Sequence, residues 1–108
     1  MQEIVRRLQT KVRERQYRLT SHAEKEREAD QIIVQEIDGA VLSNACELVE
    51  DFPTDPRGHS CLILRWTRVW LPVHIVCGHL HEEECIVITI CRPDPAEWID
   101  WRNRREPG

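Results

Sequence analysis

The run Ser60–Cys91, SCLILRWTRVWLPVHIVCGHLHEEECIVITIC, decides the fold. Three segments stand in it, 60–69, 72–80 and 84–91, and the last is dense in β-branched residues that suit a pleated surface. Only a few residues separate them, so successive strands must turn back on themselves. A parallel return would need a crossover of a dozen residues or more. Upstream, Cys46–Asp51 predicts one more short strand, and Pro53–Gly58, with two prolines and a glycine, predicts the loop that follows it. Downstream, Arg92–Pro93–Asp94–Pro95 ends the sheet, because proline cannot donate to a strand ladder. Pro95 then fits the first turn of a final helix bearing Trp98 and Trp101 on one side.

The N-terminal third has a different period. Residues 2–16 place Ile4, Val5, Leu8 and Val12 on one stripe and predict an amphipathic, arginine-rich helix. Tyr17–Thr20 is a short extended piece. Ser21 with Glu24 three residues on predicts a capping box and a helix opening at His22, which Asp30 ends. A further helix is expected over 33–43, with Ile33, Ile37, Ala40 and Val41 as its apolar stripe. The expected architecture is α+β: N-terminal helices packed on an antiparallel sheet of about four strands, closed by a short C-terminal helix. One domain over 1–108 suffices, with 1–16 as the leading helix and 17–105 as the core.

Composition narrows the function classes. The net charge of −4, from 15 basic and 19 acidic residues, excludes a uniformly basic nucleic-acid binder. The charge is nevertheless segregated. Residues 1–18 hold Arg6, Arg7, Lys11, Arg13, Arg15 and Arg18 against Glu3 and Glu14, while most of the acids fall between 24 and 55. No apolar run approaches the roughly 20 residues of a membrane helix, so no membrane partner is expected. Five cysteines, an odd number without a C-x-x-C pair, read as free thiols of a cytoplasmic protein.

Several short segments, taken in order, resemble a known family. They are Ser21–His22–Ala23, Glu26–Arg27, Ile32, Glu36–Ile37 and Ala40–Val41, then Ser60–Leu64 and Pro72–Val76, and finally Val87–Ile90 and Pro93–Asp94–Pro95 with Trp98. In that order and spacing the chain resembles domain-of-unknown-function family 4258 over about residues 15–105. The resemblance implies a place among the RelE/ParE-like toxins of bacterial toxin–antitoxin systems. These are small α+β proteins, several of which cut messenger RNA. It therefore also implies an antitoxin protein as partner, and RNA or the ribosome as target.

Metal-independent RNA cleavage needs a base, an acid and a cation near the phosphorane. His22 and His74, the histidines within the resembling segments, are the expected base and acid, with Arg27 as a catalytic cation. Glu26, one turn after His22, would orient that ring. Arg92 would bind phosphate, and Arg68, between Trp66 and Trp70, would meet the substrate beside stacked bases. Cys77, His79, His81 and Cys85 make a zinc-type donor list at a spacing that strains tetrahedral closure, so neither metal nor cofactor is assigned. The rival class is a non-catalytic interaction module or dimeric regulatory protein, using the arginine-rich helix or the tryptophans to hold a protein partner or a second copy.

Overall fold

A computed structural model describes residues 3–33, 35, 46–66 and 71–105. The elements are α1 (Glu3–Arg13), β1 (Tyr17–Leu19), α2 (Ser21–Ala29), β2 (Glu47–Phe52), β3 (Ser60–Trp66), β4 (Pro72–Gly78), β5 (Cys85–Cys91), β6 (Trp98–Ile99) and β7 (Asn103–Arg104). The chain is α+β, with a mostly antiparallel five-stranded sheet in the order β1-β5-β4-β3-β2. The meander β2–β5 follows the sequence pattern. The fifth strand is the extended piece at 17–19, which pairs parallel to β5 with Tyr17 opposite Cys85 and Leu19 opposite Val87. The expected antiparallel sheet of about four strands is thus a mostly antiparallel one with a parallel fifth strand at its edge. The parallel return is affordable because most of the chain lies between β1 and β5.

Odd positions of β3 and β4 face the helices, and in β5 an irregularity moves the inward set from Val87 to Ile90. Val5, Leu8 and Val12 of α1 and Ala23 of α2 form one core with Cys61, Ile63, Val73, Ile75, Cys77, Val87 and Ile90. Leu8, Ile63 and Ile75 are fully buried, so truncating any one of them to Ala would cost about 2–5 kcal/mol. A Cβ at Gly78 would come within 2.8 Å of Ile88 Cδ1, so that side chain would have to shift. All five cysteines are free thiols, four of them buried. Burial pushes the Cys61 thiol up to about 12 and those of Cys46, Cys85 and Cys91 to about 11, which makes them packing groups rather than nucleophiles.

Two local expectations change. The cap of α2 is Thr20, whose hydroxyl accepts the Ala23 N–H at 3.1 Å and donates to the Ile88 carbonyl at 3.1 Å. Ser21 is already the first helical residue, and Glu24 pairs with Arg27 instead of reaching back to a cap. The expected C-terminal helix is a hairpin. Asp94 accepts the Ala96 N–H in a side-chain turn and takes the Glu97 and Trp98 amides on its carbonyl, which completes one turn and no more. Asp100 and Trp101 then sit at φ 53 and 62, the left-handed pair that a two-residue hairpin turn requires. The turn closes with the Arg102 N–H on the Ile99 carbonyl. The helix expected over 33–43 lies almost wholly outside the described residues.

The hairpin covers the other face of the sheet, where Leu62, Leu64 and His74 are buried. Arg102 grips Glu47 at 2.7 and 2.8 Å, and Arg104 grips Glu50 at 2.8–3.2 Å. Both acids stand on the edge strand β2.

Candidate functional site

Four of the expected site residues gather on the seam between α2 and β5. Residues 22, 26 and 30 follow one another at i, i+4 spacing along one side of the helix. Glu26 Oε1 lies 3.2 Å from His22 Nε2 and accepts the Ile90 N–H at 3.2 Å. Asp30 accepts the Arg92 N–H at 3.0 Å, and the Arg92 guanidinium donates to the Asp30 carbonyl. Arg27 bonds Glu24 at 2.8 Å and the Ile32 carbonyl at 3.3 Å. Arg27 thus ties α2 to its own exit, and Arg92 ties the end of α2 to the end of β5. Each leaves one buried N–H without a hydrogen-bond partner, Arg27 Nε and Arg92 Nη1. His22 alone projects, with 69% of its side chain exposed.

His74 is not brought to this seam. Its neighbours Val73 and Ile75 face the helices, so its own ring faces the hairpin. There its Nε2–H donates to the Trp101 carbonyl at 2.8 Å, and its ring meets the edge of Trp98 at 4.5 Å and 88°. Burial holds its pKa below the usual histidine value. Arg68 and Trp70 lie outside the described residues.

A third cluster is legible only in the structure. At the end of the sheet where β2 turns into β3 and β4 into β5, His59 Nε2 lies 2.5 Å from Asp51 Oδ1 and His59 Nδ1 lies 2.8 Å from His81 Nε2. The two loops are tied by the Leu80 N–H on the His59 carbonyl. Gly58, at φ 105, lets the first loop cross His79 closely, for a Cβ would approach His79 Cδ2 to 3.3 Å. Arg57 stands two residues before His59, held by Asp55, which also accepts the Ser60 hydroxyl at 2.8 Å.

The chain of contacts fixes the tautomers. A carboxylate only accepts, so His59 donates from Nε2 and has a lone pair on Nδ1. His81 must then donate from Nε2, which leaves the lone pair of His81 on Nδ1. His59 is 15% exposed at its side chain, whereas His81 is an exposed residue. The arrangement is an exposed histidine backed by a second imidazole and a carboxylate. Among the described residues no group of three or more His, Cys, Asp or Glu is placed to hold a metal ion. The zinc-type list is dispersed, because Cys77 points into the helix-side core while His81 bonds His59.

Sequence reasoning missed Asp51 and His59. The available signal was the Pro53–Gly58 loop, which closes a hairpin and so returns position 59 beside position 51. His81 was noticed, but as a metal donor. Among the described residues no helix is long and apolar enough to cross a membrane.

No curated protein and no solved structure matches the chain. Residues 19–92 match the model of a family described as a domain of unknown function (DUF4258), and the chain belongs to that family.

Proposed function

We propose that this chain is a RelE/ParE-like toxin of a toxin–antitoxin pair, and that it cuts RNA without a metal. The observation that carries this reading is the hydrogen-bonded series Asp51–His59–His81, ending on an exposed imidazole. The α+β class and the mostly antiparallel sheet agree with what such a toxin requires. In the reaction, His81 Nδ1 takes the proton of a ribose 2′-hydroxyl. The 2′-oxygen attacks the adjacent phosphorus, the bond from phosphorus to the 5′-oxygen breaks, and that oxygen takes a proton from water. The products are a 2′,3′-cyclic phosphate and a free 5′-hydroxyl. The Nε2 proton of His81 can shift to His59 as the ring becomes protonated, and Asp51 keeps His59 in the orientation that receives it.

The test is incubation of the full chain with single-stranded RNA in the presence of a chelator, with the product ends identified. Cyclic phosphate ends that disappear in His81→Ala support the reading. Intact RNA, with and without ribosomes, together with unarrested growth on induced expression, overturns it. His22, exposed and oriented by Glu26, is the second reading. Cleavage lost in His22→Ala and kept in His81→Ala would move the base to the helix seam.

A further inference from the structure

Six of the chain's basic residues precede residue 19, where the family match begins. Helix α1 therefore lies outside the matched region, and its two faces differ. Val5, Leu8 and Val12 enter the core, while Glu3, Arg6, Arg7, Thr10, Arg13 and Glu14 are exposed. An open groove of about 530 Å³ runs along the exposed side, lined by Arg6, Arg7, Thr10 and Lys11 with Glu3 and Glu14 among them.

The position of this groove matters more than its charge alone. Lys11 Nζ donates to the Glu83 carbonyl at 2.7 Å, and the Cys85 N–H donates to the Gln16 carbonyl at 3.0 Å. Arg18 pairs with Glu84 at 3.2 Å. These contacts join the C-terminal end of α1 and the residues after it to the β4–β5 turn, which carries His81. The cationic helix and the exposed imidazole thus meet on one turn.

We propose that the exposed face of α1 is the phosphate-binding track for a single-stranded RNA, which it leads to the β4–β5 turn. This deepens the ribonuclease reading and rests on it. Arg7 and Lys11 lie one helical turn apart and Arg6 and Arg13 two turns apart, so cations recur along the helix. Guanidinium groups hold phosphate oxygens in a two-pronged geometry that a single strand can present at each step. Glu14, in the same groove, opposes binding, and this gives the proposal a signed control.

The experiment is fluorescence anisotropy of a labelled single-stranded RNA against the full chain over a series of salt concentrations. Circular dichroism checks that each variant keeps its helix content. The Arg7→Gln/Arg13→Gln double variant is expected to bind more weakly and to lower the slope of log affinity against log salt by about 1.4, at about 0.7 per phosphate contact. Glu14→Gln is expected to bind more tightly. RNA that does not bind, or a double variant with unchanged affinity and slope, overturns the proposal. So does a labelled polyglutamate peptide that binds better than RNA at the same salt, since the groove would then fit an acidic protein segment. Cleavage that persists while the α1 variants change nothing removes the track alone. Binding that depends on α1 without any cleavage removes the ribonuclease reading and leaves the binding surface.

Discussion

Two clusters of three side chains lie on this sheet, His74–Trp98–Arg104 on the face under the hairpin and Asp51–His59–His81 at the loop end. Each contains a histidine from β4 or just beyond it, and the neighbours give the two rings opposite uses. His74 is enclosed by an aromatic edge and bonded to a carbonyl, and Arg104 lies 4.6 Å over the Trp98 ring. Its ring is a spacer that fills volume and satisfies one backbone acceptor. His81 has one nitrogen committed to His59 and is an exposed residue. Burial with a neutral partner suits a histidine to packing, whereas a carboxylate-anchored series ending on an exposed ring is the arrangement on which the proposed cleavage rests.

The largest effect expected is on chemistry. His81→Ala should lower RNA cleavage about 10²–10⁴-fold, the usual contribution of a positioned general base, with the melting temperature nearly unchanged. His74→Gln should do the reverse, leaving cleavage in place and lowering stability. A rate measured beside a thermal melt for both variants separates the clusters. Cleavage that falls as far in His74→Gln as in His81→Ala would erase the distinction.

Next in size is the support of the hairpin. Trp98 is 6% exposed, and its ring separates His74 from Arg104. Trp98→Ala should cost about 3 kcal/mol, the lower end for a buried aromatic, because a surface hairpin can partly close over the space. Denaturant unfolding checks this value. The hydrogen bonds of Asp51, His59 and His81 should persist in that variant, visible as unchanged imidazole nitrogen shifts.

How far these clusters were legible in the sequence depends on the distance over which each is determined. The strand pattern of 60–91 is local, set by side-chain alternation and short turns, and it placed His74 on the face opposite Ile75 correctly. The C-terminal helix failed because Pro95 and two tryptophans three residues apart satisfy helix rules. The Asp94 side-chain turn and the burial of Trp98 on His74 decide otherwise, and both depend on a sheet that lies elsewhere in the sequence. The parallel strand β1 was hidden for the same reason. Three residues carry too little pattern to announce a partner 68 positions away. Asp51 and His59 were unread because a hydrogen-bonded series across two loops leaves no spacing signature, whereas the i, i+4 pair His22–Glu26 does.

A pH series sharpens the comparison at smaller energy. Burial lowers the His74 pKa in the folded chain, with the Trp101 carbonyl opposing that shift and Arg104 adding to it. The unfolded chain therefore binds a proton first as pH falls. The stability due to neutral His74 is complete above the ordinary histidine value of about 6.5 and is lost as pH drops below it toward the folded value. Melting temperatures taken from about pH 8 to about pH 5 should decline at the acid end, and His74→Gln should flatten that part of the decline. An equal decline in both proteins would assign it to other groups.

The smallest expected effect tests whether the outer cluster is held by packing or by charge. Arg104 stacks on Trp98 and grips Glu50 by both its Nε and a terminal nitrogen, yet 62% of its side chain is exposed. Solvent screens such a pair, so Arg104→Gln should cost about 0.5–1 kcal/mol from the ion pair and the stacked cation together. Raising salt should reduce the difference between Arg104→Gln and the unmodified chain, since the ion-pair share is screened while the stacked share persists. The cost of Trp98→Ala should barely change over the same range, because removed apolar area is not a charge effect. If instead Arg104→Gln cost as much as Trp98→Ala, the hairpin would be a salt-held strap, and His74 would owe its burial to two arginines rather than to one indole.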